Sequence, residues 1–286
     1  MNIGFVGAGK VGFSLGKYFA MHKISVAGYY SKNPESAKEA ADFTGTRNYV
    51  RLDDLVQDCE VLFLTVPDDA IKEVWSQICA QKVTGKIICH CSGVLSSEVF
   101  SDITKTGNFG YSIHPLLAVN DKLHSYKELS HALFTIEGDE QKKEEMTGLL
   151  KKCGNQVLTL QKEEKVRYHA AAVFASNLVL GLAETAMEEL TLCGFSKEAA
   201  RAAIAPFMQA NVSHLLEMSE EEALTGPVER GDSQTVRLHM EKLSGENREI
   251  YRLLSKKALE IAKRKNKDRD YTKVSQVLCE ERKKDE

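Results

Sequence analysis

Proline is scarce, with five in 286 residues, and long disordered linkers are not expected. Tryptophan occurs once, at Trp75, where helix–sheet packing is its simplest use. The seven cysteines form no disulfide framework and no CxxC pair. Cys59, Cys79, Cys153, Cys193 and Cys279 stand alone, and Cys89 and Cys91 are two apart. Cys89-His90-Cys91 lacks a second ligand pair, so no metal is expected. This usage suits a reducing compartment, and a cytoplasmic location is the expectation. No signal peptide is expected, because glycines interrupt the apolar start and no basic stretch precedes it. No uninterrupted apolar run reaches the roughly 18 residues of a membrane span. The longest, Ala170 to Leu182, is broken by Ser176 and Asn177. There is no excess of positive charge: Lys plus Arg is 38, Asp plus Glu is 41, and the net charge is −3. A strongly basic nucleic-acid binder is therefore excluded as the default.

What remains is ordinary globular usage, 43% hydrophobic and 28% charged. The length suits two domains with a core that needs no staples. Residues 1–160 alternate strand-like and helix-like segments. Ile3 to Val6, Ile24 to Tyr30, Val61 to Val66, Lys86 to Cys91, Ala132 to Ile136 and Gln156 to Leu160 read as strands. Val11 to Met21, Pro34 to Phe43 (capped by Asn33), Asp69 to Cys79 and Glu140 to Lys152 read as helices. The alternation predicts an α/β domain with a mainly parallel sheet. From about Gln161 strand signals stop. Residues 161–286 predict an all-α domain, opened by one helix of about 30 residues, Glu163 to Cys193, and ended by Gly194. Ser196 caps the next helix. Further helices are expected near Pro206 to Met218, Val236 to Lys242 and Glu246 to Lys265, with a charged helical tail from Tyr271 to Glu286.

The strongest motif is Gly7-Ala8-Gly9-Lys10-Val11-Gly12, a G-x-G-x-x-G directly after a strand and opening a helix. Gly7 permits the tight turn, Gly9 lets backbone approach a pyrophosphate, and Gly12 lets helix and strand pack closely. The helix N-terminus adds free N–H groups and partial positive charge. The motif predicts dinucleotide binding. An NAD site usually places a carboxylate at the end of the second strand, to bind the ribose 2′-hydroxyl. Here Tyr29-Tyr30-Ser31-Lys32-Asn33 carries none. Ser31 can donate to a 2′-phosphate and Lys32 can neutralise it, so NADP(H) is expected over NAD(H).

Strand–GAGKVG–helix, the Ser-Lys after the second strand, Leu64-Thr65-Val66-Pro67-Asp68-Asp69-Ala70-Ile71 and Cys91-Ser92-Gly93 resemble the two-domain NADP reductases. That superfamily includes pyrroline-5-carboxylate reductase, ketopantoate reductase, prephenate dehydrogenase and the β-hydroxyacid dehydrogenases. The sequence is most similar to an uncharacterised branch with a Rossmann-like domain fused to a helical domain of unknown function. Ser112-Ile113-His114-Pro115-Leu116, Tyr168-His169-Ala170-Ala171-Ala172 through Ser176-Asn177, and Leu224-Thr225-Gly226-Pro227 through Arg230-Gly231-Asp232 carry that likeness. The resemblance implies a homodimer through the helical domain. It implies that Val66 and Pro67 line the cofactor, with Ser92 and Gly93 near the nicotinamide.

Four places could supply the protein's share of a hydride transfer. His114, before Pro115 at a strand end, is a general acid, a polarising group, or a histidine held in a turn. Ser176 and Asn177, in an alanine-rich helix, either line a ligand pocket or serve helix packing, with Ser176 bonding back to its own helix. The β-hydroxyacid dehydrogenases place a lysine one turn from such an asparagine, where this chain has Val173. His169, seven residues before Ser176, is a second proton carrier, a ribose contact, or a helix-start histidine. Arg230, in the turn-rich run Gly226 to Asp232, could clamp a carboxylate, or pair with Asp232 in a surface turn. The expected function is reduction of a small carbonyl or imine, with or without a carboxylate, in a cleft between the domains. The rival is a non-catalytic NADP-binding redox sensor or scaffold. No nucleic-acid or membrane partner is expected.

Overall fold

The computed structural model describes residues 1–280; the end of the expected tail, 281–286, lies outside the described residues. The chain divides into two compact units, Met1–Asn177 and Leu178 onward.

The first unit is built on an eight-stranded sheet. In chain order it comprises β1 (Ile3–Val6), α1 (Lys10–Met21), β2 (Val26–Tyr30), α2 (Pro34–Thr44), β3 (Arg47–Asn48) and α3 (Leu52–Asp58). There follow β4 (Val61–Leu64), α4 (Asp68–Cys79), β5 (Ile87–His90), β6 (Phe109–Pro115), β7 (Phe134–Gly138), α5 (Lys143–Lys152), β8 (Val157–Thr159) and α6 (Lys165–Ala175). The sheet order is β3-β2-β1-β4-β5-β6-β7-β8. Every neighbouring pair is parallel except β6 and β7. β1, β4 and β5 are buried at every residue, because helices cover both faces. Phe5, Phe63, Cys89 and Tyr111 pack with α1 and α5 on one face. Val6, Leu62, Leu64 and Ile88 pack with α3 and α4, including Trp75, on the other. The strand order reverses beside β1 and β4, which opens a crevice at their carboxyl ends.

The α/β reading holds, with local differences. β7 starts at Phe134 and α5 at Lys143, later than their expected starts at Ala132 and Glu140. β3 and α3 are additions, and the antiparallel step at β6/β7 was not anticipated. Asn33 does cap α2, accepting from Glu35 N at 3.1 Å.

The second unit holds α7 (Asn177–Leu192), α8 (Lys197–Glu217), α9 (Glu220–Ala223), α10 (Pro227–Arg230), α11 (Ser233–Lys242), α12 (Gly245–Lys265) and α13 (Thr272–Cys279). The expected 30-residue helix is thus two. Ser176 leaves the helical region (φ −127°, ψ −87°) and separates α6 from α7. Conversely, Pro206 starts no helix but lies inside the 21-residue α8, which Ser196 caps by accepting from Ala199 N at 3.2 Å. Val228, Val236, Met240, Leu259, Val274 and Leu278 form a small core from α10 to α13. By contrast α7 buries no residue and α8 only Ala200. Leu180, Leu192, Phe207 and Leu216 are 73%, 81%, 75% and 83% exposed. By length and composition alone, Lys162–Leu192 is apolar enough to cross a membrane, with an 18-residue window of mean hydropathy 1.5 and none of that window buried. Counting unbroken apolar residues missed this, because the average lets Ala and Leu outweigh Ser176 and Asn177.

Candidate active site

The glycine loop closes the carboxyl end of β1 against that of β4. Gly7 has φ +102°, and a side chain there would press on Thr65 O at 2.7 Å. A Cβ on Gly12 would lie 2.6 Å from Gly7 O and would collide with Thr65 Oγ1. Thr65 ties the loop to β4 by donating from Oγ1 to Gly7 O at 2.8 Å. Gly9 differs. It is extended (φ −76°, ψ −176°), and a Cβ there meets nothing closer than Thr65 O at 4.0 Å. The protein's own packing therefore requires glycine at 7 and 12 but not at 9. Ala8 is buried, Lys10 is exposed, and Val11 packs against the core. The first turn of α1 has no side-chain cap and no acidic residue, so its N–H groups face the crevice electrostatically uncompensated.

At the end of β2, Ser31 Oγ accepts from Asn33 N at 3.2 Å. Lys32 is exposed and pairs with Glu73 of α4 at 3.1 Å. A carboxylate thus does reach this corner, from an element that adjacency to β2 could not reveal. Val66 packs against the core, and Pro67 is the N-cap of α4. Ser92 is buried after β5. Its hydroxyl donates to Asp68 Oδ2 at 2.7 Å and accepts from Leu95 N at 3.0 Å and Val94 N at 3.2 Å, which shapes the turn.

Gly93 is where two groups of residues meet. A Cβ placed there would lie 3.1 Å from His114 Nε2 and would collide with His169 Nδ1. His114 is the next-to-last residue of β6, and its Nδ1 is 2.8 Å from the Tyr168 hydroxyl of α6. Its ring stands at 87° to that of His169, with centroids 6.3 Å apart. His169 Nδ1 is buried with no hydrogen-bond partner. A cavity of about 530 Å³ opens here, lined by His114, Leu116, Leu117, Tyr168, His169, Val173, Ser176 and Asn177 among others. The structure thus brings together the four candidates His114, His169, Ser176 and Asn177. Ser176 Oγ donates back to Ala172 O at 2.7 Å, with Asn177 Oδ1 2.9 Å away as the alternative acceptor, and the residue both ends α6 and lines the cavity.

Lys165 was missed by sequence reasoning. It is 1% exposed, and its Nζ donates to Ser112 Oγ at 2.7 Å and to Ser92 O at 2.9 Å. Lysines are almost never fully buried, so nothing in composition flags it. The available signal was its spacing: Lys165, Tyr168 and His169 stand at i, i+3 and i+4 and share one helix face. Burial lowers its pKa to about 8, against the pull of Glu137, Cys91 and Asp68. Burial first, and then the Lys165 charge, hold His114 down to about 3. His90, fully buried, is lowered to about 4 by burial. Both imidazoles are neutral at pH 7.

Arg230 and Asp232 belong to the second unit. The run expected as a loop is a one-turn helix, α10, between Gly226 and Gly231. Arg230 is exposed, while Asp232 caps α11 by accepting from Thr235 N at 3.0 Å and Thr235 Oγ1 at 2.6 Å.

Residues 1–115 match the family model described as a Rossmann-like domain, and residues 132–258 the one described as Domain of unknown function (DUF2520). The chain therefore carries a Rossmann-like domain followed by this domain of unknown function, the pairing its sequence resembles. None of the proteins with curated functions matches it. Among solved structures, it is similar to a protein of Thermotoga maritima, at 28% identity over 92% of this chain and 99% of that one, TM-score 0.73. A Bacteroides fragilis protein described as an NADP oxidoreductase shares 19% identity over 91% and 98%, TM-score 0.68. Plasmodium falciparum pyrroline carboxylate reductase, solved with NADP bound, shares 14% over 96% and 98%, TM-score 0.61. At such identities the last two establish the shared fold.

Proposed function

We propose that the protein is an NADP-dependent oxidoreductase that reduces a small carbonyl or imine. The observation that carries this reading is the meeting at Gly93. The turn after β5, at the carboxyl edge where such sheets bind nucleotides, touches the two histidines of a cavity large enough for a small molecule. The fold shared with the NADP oxidoreductases named above supports the cofactor class. The glycine loop fits it as well: glycine at 9 is unexplained by the protein's own packing and explained by a pyrophosphate above it.

NADPH would be held by residues 7–12, Val66, Pro67, Ser92 and Gly93, with Ser31 and Lys32 at its 2′-phosphate. Bound there, it supplies the hydride. The chain's own residues orient and polarise the acceptor. His114 is neutral, so its role in this reading is to polarise the carbonyl or imine through Nε2. It does not act as an imidazolium acid. Asn177, His169 and Ser176 orient the substrate, and water at the exposed rim supplies the proton. Arg230, exposed on the second unit, is the proposed ligand for a carboxylate, and Asp232 caps the helix that follows it. The exposed apolar faces of α7 and α8 support a homodimer through the helical unit, in place of insertion into a membrane.

NADPH consumption over a panel of ketones, keto acids, aldehydes and imines tests the reading. Turnover that falls at least 100-fold in His114→Ala supports it. Stoichiometric NADPH binding with no turnover of any class would favour a redox sensor.

A further inference from the structure

Beneath the cavity lies a polar network that the reduction reading does not itself use. Lys165 opens α6 with its ammonium buried, yet its two hydrogen bonds go to neutral oxygens, Ser92 O and Ser112 Oγ. The nearby carboxylates are occupied elsewhere. Glu137, opposite Ser112 across the β6/β7 ladder, accepts from Ser97 N at 2.7 Å and Ser97 Oγ at 2.8 Å. Asp68 accepts from Ser92. A buried cation matched to neutral partners is costly. Its position suggests what it does. On the same helix face, Tyr168 reaches His114 and His169 lies beside it.

The groups that face His114 are Lys165, Tyr168 and His169 from α6, and His90 from β5. Thr135 of β7 pairs with His114 across the ladder. The Tyr168 hydroxyl lies 2.8 Å from His114 Nδ1 and can donate its proton there. A neutral imidazole that accepts at Nδ1 carries its proton on Nε2. Nε2 is the nitrogen that faces Gly93.

We propose that Lys165 and Tyr168 are positioning residues that set the state of His114. Burial of the ring disfavours the imidazolium first, and the buried charge of Lys165 disfavours it further. The Tyr168 hydroxyl places the remaining proton on Nε2, where it donates to the acceptor atom of the substrate. The purpose of this arrangement rests on the cavity being the reduction site, but the state of the imidazole can be read without turnover.

The test is long-range ¹H–¹⁵N NMR of the full chain labelled with ¹⁵N-histidine, with His114 assigned by its loss in His114→Gln. In the wild-type protein His114 is expected to be neutral from pH 8 down to 4.5, with its proton on Nε2. Tyr168→Phe should leave the ring neutral but mix the two tautomers. Lys165→Met should raise the protonation midpoint by at least one pH unit, so that imidazolium appears by pH 4.5. Lys165→Arg, which keeps the charge, should restore the wild-type pattern. A wild-type His114 that protonates near pH 6.5, or carries its proton on Nδ1, would overturn the proposal. So would an unchanged tautomer in Tyr168→Phe, or an imidazole still fully neutral at pH 4.5 in Lys165→Met. Should Lys165→Met not fold, the wild-type, Arg and Tyr168→Phe spectra still decide. Absence of NADPH binding would defeat the reductase reading and leave the imidazole result standing.

Discussion

A side chain added at Gly9 meets open space, whereas one added at Gly12 strikes Thr65 Oγ1 and Gly7 O. The two glycines should therefore fail in different ways. Gly12→Ala forces overpacking and should lower stability by about 1–3 kcal/mol. Gly9→Ala sits at a helix N-cap, where the cost is under about 1 kcal/mol, but should lose at least tenfold in NADPH affinity. Urea unfolding and a binding isotherm separate the two effects. At the other end of the nucleotide site, Lys32 is shared with Glu73 in an exposed pair of small energetic worth. Lys32→Ala should weaken NADPH about tenfold and leave NADH unchanged. Glu73→Gln should strengthen NADPH, which competitive binding would show. His114 carries a pH signature. Its folded pKa of about 3 lies below the 6.5 of an unfolded imidazole. Between these values the unfolded chain binds a proton that the folded chain refuses, so stability falls as pH drops through the window. His114→Phe should reduce the slope of unfolding free energy between pH 4.5 and 6 by about 1.4 kcal/mol per pH unit, one proton's worth. An unchanged slope in urea titrations would show that the ring is protonated in the folded state.

At the scale of elements, what was readable in the sequence follows burial. β1, β4 and β5 are covered on both faces, so they appear as apolar runs, broken only by His90 at the end of β5. β3 is two residues long, too short for any periodicity, and strand direction leaves no mark in such a run, so the antiparallel β6/β7 step was hidden. The break at Ser176 is made by one side chain bonding Ala172 O, against a helical pattern that continues through it. Much of the candidate site was legible because its motifs are local: the glycine loop, the Ser31-Lys32 end and the His114-Pro115 step. Lys165 and Tyr168 were not, since their meaning comes from strands more than 50 residues away. The apolar faces of α7 and α8 carry their own prediction. The protein should run at twice its 31.8 kDa chain mass in light scattering, and Phe207→Glu with Leu216→Glu should make it monomeric. A wild-type monomer would leave those faces unexplained by self-association.

For the molecule as a whole, the central claim is that the Rossmann-like unit binds NADPH beside a reducing site. A ligand that binds only the folded state raises its melting temperature once its concentration exceeds Kd. The most direct test is a thermal-shift titration of the full chain with NADPH and NADH side by side. A saturating rise with NADPH, at concentrations where NADH has little effect, is the result predicted. An equal response to both would contradict the role given to Ser31 and Lys32. No response to either would contradict the claim itself, and the glycine loop would then be a structural turn.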